Sequence, residues 1–371
     1  MLMNLYYYSN LSAGVNLDLA DYLGIPPEQR TGDPDLASSH PGPLWIIDSW
    51  NQQSKQQLIL ERRQRRLPTE LIYDYSYESG PGQPYAEEYE RREGPVCWFV
   101  NPCVADSYRS RPHLLIDYFA LSAVYRWQQQ LITPSLTLPS HRQPRVNCLI
   151  SKLETRPSRL YTIYRLWQQG LADDAELGLL AHSTALRSWH KSSQPFNDPN
   201  FWAWLEVHLG ARDGVDHHRS GQTYVCPGYP FDPEIYASTR VSIVCETASR
   251  EWAAPAEFIT EKTYRSLINR SPCVWISRPG VLDYLESLGF DTLRQHLADP
   301  DYDREGPQAY SHIDRALASA EEIMQLPPQV LDQSAEQNLQ NLITRAQQTR
   351  RQARARLNLR PDPQWAENLR R

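Results

Sequence analysis

Short apolar runs alternate with amphipathic or polar stretches along most of the chain. Pro43 to Ile47 is one such run, followed by Asp48 and a polar helical stretch over Gln52 to Arg66. Leu71-Ile72-Tyr73 and Val96-Cys97-Trp98-Phe99-Val100 are two more strand candidates, the second ending at Asn101-Pro102. Between them, residues 79–94 are rich in Gly, Pro and Glu and read as a loop. Apolar spacing predicts a helix over Leu114 to Gln130. Pro134, Pro139 and Pro144, with Ser, Thr and His between them, mark a domain boundary.

Beyond that seam the pattern is cleaner. Val146 to Ile150 reads as a strand, and a helix is expected from Pro157 to Gln169, closed by Gly170. Proline at a helix start and glycine past its end follow from proline's missing N–H and glycine's freedom at positive φ. Residues 192–222 read as a long polar stretch with aromatics. Val241 to Cys245 and Cys273 to Ile276 are strands, each followed by a helix, Glu261 to Asn269 and Val281 to Leu288. A long polar helix is expected over Leu331 to Leu357, and no internal repeat is seen. Strand–helix alternation at this spacing predicts parallel βαβ units and the α/β class.

Composition narrows this only a little. A chain of 371 residues with 40% hydrophobic and 22% charged residues is ordinary globular material for two domains. Its net charge of −6 argues against a polycation that coats nucleic acid. The 11 Trp and 21 Tyr outnumber the 7 Phe, and rings with a polar handle suit clefts and wet interfaces. Six scattered Cys without a CxxC pair predict a reduced, cytoplasmic protein. The segment Met1-Leu2-Met3-Asn4-Leu5-Tyr6 lacks the basic-then-apolar pattern of a signal peptide. No run approaches the roughly 20 apolar residues of a membrane span.

The chemistry concentrates in VSIVCETASREWAAPAEFITEKTYRSLINRSPCVWISRPGVLDYLESLGF, residues 241–290. An apolar strand ends in Glu246-Thr247, and after a polar loop Thr260 offers its hydroxyl as a helix N-cap before Glu261 and Lys262. Ligands in open α/β sheets bind at the carboxyl ends of strands. A helix N-terminus favours an anion there through its N–H groups and dipole. Lys262 adds a full charge, and a neighbouring carboxylate can take two ribose hydroxyls, so the pattern suits a nucleotide diphosphate. Upstream, Lys152, Arg156 and Arg159 follow another strand. A basic first turn is unfavourable beside a helix dipole, which an anionic partner would explain.

Other constellations carry less. His217-His218 stands in a polar loop beside Asp213 and Asp216, without the further ligands a metal site needs. His182 and His190 are not at helical i,i+4 spacing. There is no GxxxxGK[ST] or GxGxxG pattern, and Ser151 and Ser183 lack a nucleophile-elbow context. From Arg345 to Arg371, eight Arg outweigh Asp362 and Glu367 by six, a basic stretch that suits a phosphate backbone, an acidic partner or plain solvent.

FITEKTYRSLINRSPCVWIS resembles the donor-site motif of α1,3-fucosyltransferases and their bacterial and phage relatives. The matching residues are Glu246, Phe258, Ile259, Thr260, Glu261, Lys262, Pro272 and the run Cys273 to Ile276. RPGVLDYLESLGFDT looks like the ending found in the phage-type group. VNCLISKLETRPSRLYTIYRLWQQGL is similar to the segment that opens the donor domain in this family, with Ser151-Lys152 where the family has Asn-Arg. The resemblance runs from Val146 to Asp291 and departs from the family in the 15-residue step from Glu246 to Glu261, which is longer than usual. The first half carries no such likeness.

The resemblance implies a GT-B-like fold, two Rossmann-like domains facing across a cleft with a C-terminal helical tail. Their expected limits are 1–140 for the acceptor side, 145–325 for the nucleotide-sugar side and 326–371 for the tail. It implies inverting transfer of a sugar from a nucleotide-diphosphate donor to a glycan or other hydroxyl, with no metal or other cofactor. Lys152, Arg156, Arg159 and Lys262 are then the diphosphate cations, Thr260 belongs to the donor site, Glu261 binds ribose, and Glu246 contacts nucleotide or sugar. The general base comes from Asp48, Asp74 or Glu78, carboxylates near strand ends of the first half. Two other expectations remain open: a non-catalytic nucleotide- or glycan-binding protein on a degenerate scaffold, and a phage-type enzyme whose acceptor is modified DNA.

Overall fold

The computed structural model describes residues 5–8, 21–31, 33–42, 44–48, 55–67, 69–75, 90–91, 96–102, 110–111, 113–128, 146–153, 156–173, 175–180, 198–210, 236, 239–246, 258–304, 306, 310–357 and 359. The chain divides into two compact units, one comprising Met1–Tyr125 with Ile343–Arg371 and the other Arg126–Leu342. The seam expected at residues 134–144 lies outside the described residues, as do Glu78, the paired histidines at 217–218, His182, His190 and Ser183.

The first unit holds β1 (Leu5–Tyr8), β2 (Arg30–Thr31), α1 (Pro34–Ser39), β3 (Leu44–Asp48), α2 (Lys55–Gln64), β4 (Thr69–Tyr75), β5 (Val96–Val100), β6 (His113–Leu115) and all but the last turn of α3 (Tyr118–Gln128). Its six strands are parallel in the order β2-β1-β3-β4-β5-β6. Leu114 and Leu115, expected to open a helix, instead pair with Phe99 and Val100 in β6. The helix starts only after Asp117, whose Oδ1 accepts from the Ala120 N–H at 3.2 Å and caps it. Arg62 on α2 is fully buried and donates to the carbonyls of Ala37, His40 and Gly42 and to the Thr69 hydroxyl. That single guanidinium fixes the turn between α1 and β3 by satisfying carbonyls no helix or strand uses.

The second unit holds β7 (Val146–Lys152), α4 (Pro157–Gln168), β8 (Glu176–Leu180), α5 (Pro199–Gly210), β9 (Val241–Cys245), α6 (Glu261–Ile268), β10 (Cys273–Ile276), α7 (Val281–Ser287) and α8 (Ser311–Gln325). Its four strands are parallel in the order β10-β9-β7-β8. All residues of β9 and β10 are buried, as expected of parallel strands covered on both faces. Within the long polar stretch over residues 192–222, α5 begins at Pro199 under an Asp198 cap that accepts from Asn200 and Phe201 N–H. The last helix, α9 (Pro328–Arg356), belongs to both units. Its first half clasps the segment after α7: Asn338 pairs with both backbone groups of Asp291, and Asn341 donates to the Leu288 carbonyl. In its second half, Arg345 pairs with Asp117 at 3.2 Å, and Arg354 donates to the Leu23 and Gly24 carbonyls. Among the described residues, no helix is long and apolar enough to cross a membrane.

Candidate functional site

In a parallel sheet all carboxyl ends lie along one edge, and ligands bind where the strand order reverses. In the second unit that reversal falls between β7 and β9, which are neighbours although β8 lies between them in sequence. Lys152 is the last residue of β7, and Glu246 follows β9 directly. In the first unit the reversal falls between β1 and β3, and Asp48 is the last residue of β3. Asp74 lies near the end of β4, two strands from β1.

Helix α4 brings Arg156 and Arg159 to the β7–β9 crevice. Arg156 is its N-cap residue, half-buried, and makes no capping bond with its side chain. Arg159 is buried, and its Nη2 donates to the carbonyls of Cys245 and Glu246 at 3.5 and 3.2 Å. The guanidinium thus ties the start of α4 to the end of β9, joining two segments 87 residues apart. Further along α4, Tyr161 and Arg165 both bond Asp314 of α8, and Tyr161 stacks on Tyr310 at 4.8 Å. These contacts set the roll of α4 and so the direction in which its first turn points. Burial, with the Asp314 charge beside it, pushes the Tyr161 phenol up to about 12.

Helix α6 supplies the other wall. Thr260 is its N-cap residue by backbone geometry, but its hydroxyl does not accept from the helix as expected. It donates instead to Glu246 Oε2 at 2.5 Å. Glu246, 1% exposed, also accepts from the Thr260 N–H at 3.2 Å and the Thr263 hydroxyl at 2.6 Å, both on Oε1. A remote buried carboxylate therefore does the capping, and the Thr260 hydroxyl turns toward it because an anion is the stronger acceptor. Lys262 is buried and donates to Thr260 Oγ1 at 3.4 Å and to Glu261 Oε1 at 3.2 Å. Burial raises the Glu261 carboxyl, but Lys262 and Arg265 outweigh it and hold the group at about 2.

The two walls meet at one sulfur. Cys148 of β7 and Cys245 of β9 are free, buried thiols. Hydrogen bonding to Cys148 lowers the Cys245 thiol; burial opposes this, and the charges of Arg159 and Lys262 lower it further. Arg159 and Lys262 thus stand at the end of β9 with the carboxylates of Glu246 and Glu261 beside them. Sequence reasoning placed Arg159 and Lys262 in one site, and the structure ties both to Glu246, one at its carbonyl and the other through the Thr260 hydroxyl. It missed Thr263, Trp275 and Tyr161, whose hydroxyl or indole groups hold the site's parts in place. Only their polarity within buried helix faces or strands hinted at this.

Elsewhere in the unit, a cavity of about 380 Å³ is lined by Glu286, Asp291, His296 and Gln333 among others, and no sequence-predicted residue reaches it. Among the described residues, no group of three or more His, Cys, Asp or Glu is placed to hold a metal ion. In the basic stretch, Arg345 and Arg354 are engaged within the first unit and Arg350 is buried, so these charges serve packing.

No family model matches the sequence, and no curated relative matches it either. The likeness to α1,3-fucosyltransferases therefore stays with the residues quoted for it. Among solved structures, the chain aligns with an alpha,alpha-trehalose 6-phosphate synthase from Burkholderia multivorans at 13% identity and a TM-score of 0.44, over 94% of this chain and 76% of that one.

Proposed function

We propose that the protein is a glycosyltransferase that moves a sugar from a nucleotide-diphosphate donor to an acceptor hydroxyl. The observation that carries this is the β7–β9 switch point, where the first turns of α4 and α6 bring Arg159 and Lys262 beside Glu246 and Glu261. A diphosphate leaving group needs charge neutralisation as its bond to the sugar breaks. Lys262, Arg156, Arg159 and Lys152 are assigned to that task, which needs no metal in this scheme. Glu261, held ionised by its two cationic neighbours, is assigned to the ribose hydroxyls. The acceptor proton passes to a carboxylate of the first unit, with Asp48 at its switch point and Asp74 and Glu78 as the alternatives. In this scheme the two units are the halves of a GT-B enzyme, the second taking the donor and the first the acceptor. The likeness of residues 146–291 to α1,3-fucosyltransferases supports an inverting course.

Isothermal titration with GDP, UDP, ADP, CDP and TDP tests the proposal. At least one is expected to bind with a sub-millimolar Kd, and failure of all five at millimolar concentration overturns it. Turnover of the matching nucleotide sugar then separates an enzyme from a binding protein.

A further inference from the structure

The family resemblance assigns Glu246 to the ligand, but its surroundings point elsewhere. Both carboxylate oxygens are occupied by the start of α6: Oε1 by the Thr260 N–H and the Thr263 hydroxyl, Oε2 by the Thr260 hydroxyl. Thr263 Oγ1 in turn accepts from the Trp275 indole N–H at 3.1 Å. A relay therefore runs from β10 through α6 to the end of β9, and all three of its side chains are at most 1% exposed. Burying a carboxylate is costly unless it is well hydrogen-bonded. A simpler cap was at hand, because a threonine at the N-cap normally serves its own helix.

The buried charge gains something a threonine cap does not give. With its proton committed to Glu246, the Thr260 hydroxyl presents its lone pairs to Lys262 Nζ, 3.4 Å away. The orientation of one hydroxyl thereby fixes the ammonium group that the proposed donor needs. Resting on the nucleotide-diphosphate assignment of this site, we propose that Glu246 is a positioning residue: it does not touch the donor but sets Lys262 through Thr260, with Thr263 and Trp275 holding its carboxylate in place.

The experiment measures affinity for the nucleotide diphosphate that the wild-type protein binds best, by isothermal titration. Near-UV circular dichroism serves as the check on folding. Thr263 is fully buried and cannot meet a ligand. Thr263→Val, which removes a bond to Glu246, is expected to weaken binding at least about fivefold, and Thr263→Ser, which keeps the hydroxyl, to stay within about twofold of wild type. Equal binding by the Val variant overturns the inference while leaving the donor assignment standing. Should the Val variant not fold, a double-mutant cycle of Glu246→Gln and Lys262→Met decides. Glu246→Gln alone is expected to cost about tenfold, and in the Lys262→Met background almost nothing more. Additive losses would mean that Glu246 contacts the donor directly and overturn the inference. Absence of any wild-type binding would instead bring down the donor assignment, and the inference with it.

Discussion

Helices α6 and α7 follow neighbouring strands and begin by the same device, yet only one has the makings of a site. Neither is capped by its own N-cap side chain: the Thr260 hydroxyl points away, and Gly280, at φ 93°, has none. Each start is held by a buried acid from elsewhere. Glu246 does this for α6, and Asp303 does it for α7 by accepting from the Gly280 and Leu282 N–H groups at 2.8 and 3.3 Å. The difference lies in what surrounds the acid. Asp303 accepts from backbone amides, and burial raises its carboxyl. Glu246 shares the Thr260 hydroxyl with a buried lysine and sits under an arginine that grips its own carbonyl. Remote capping is thus a folding device of this unit, and buried cations beside the cap are what set α6 apart.

The comparison can be broken by exchanging which start matters for what. The largest effect is expected from Lys262→Met, which should weaken nucleotide-diphosphate binding about 10- to 100-fold, the range for loss of a charge-assisted hydrogen bond. Titration calorimetry reads this directly. Asp303→Ala should leave that affinity within about twofold and instead cost about 1–2 kcal/mol, lowering Tm by roughly 2–8 °C. If the Asp303 variant lost affinity as Lys262→Met does, the two starts would not differ as described.

The smallest effect is one of pH. The Glu261 carboxyl is lowered from 4.5 to about 2, so its contribution to stability is full above pH 4.5 and is lost as pH falls toward 2. Asp303 has the opposite sign: its raised carboxyl favours the fold at low pH, and that contribution fades as pH rises through its folded value. Denaturant titrations of Glu261→Gln between pH 4.5 and 2 should show a shallower loss of stability, by up to about one proton. An unchanged slope would mean that Lys262 and Arg265 do not hold the carboxylate ionised.

How much of this was legible depended on range. The start of α4 at Pro157, the left-handed Gly170 beyond its end, and the start of α6 at Glu261 are written in adjacent residues. So were the buried strands β9 and β10, whose unbroken apolar runs need no partner to be recognised. Two local signals were present and overlooked. Asp198-Pro199 announces α5, and Asp117 announces the true start of α3. The role of Glu246 was not legible, because its partners lie 14 and 17 residues away and are chosen by the packing of α6 on β9. Spacing could bring the right residues to one edge, but not decide which of them face a ligand and which face each other.

The division of α9 between units bears on the order of synthesis. Asp117 is made early and is buried, and its ion-pair partner Arg345 comes 228 residues later. At roughly 5–20 residues per second, a ribosome leaves that carboxylate waiting for roughly 10–50 s. The Leu23 and Gly24 carbonyls wait longer still for Arg354. The unit that emerges first is therefore completed last. A nascent chain paused before α9 would hold a finished second sheet and a first unit still missing its closing helix, with Asp117 open to solvent or to a chaperone.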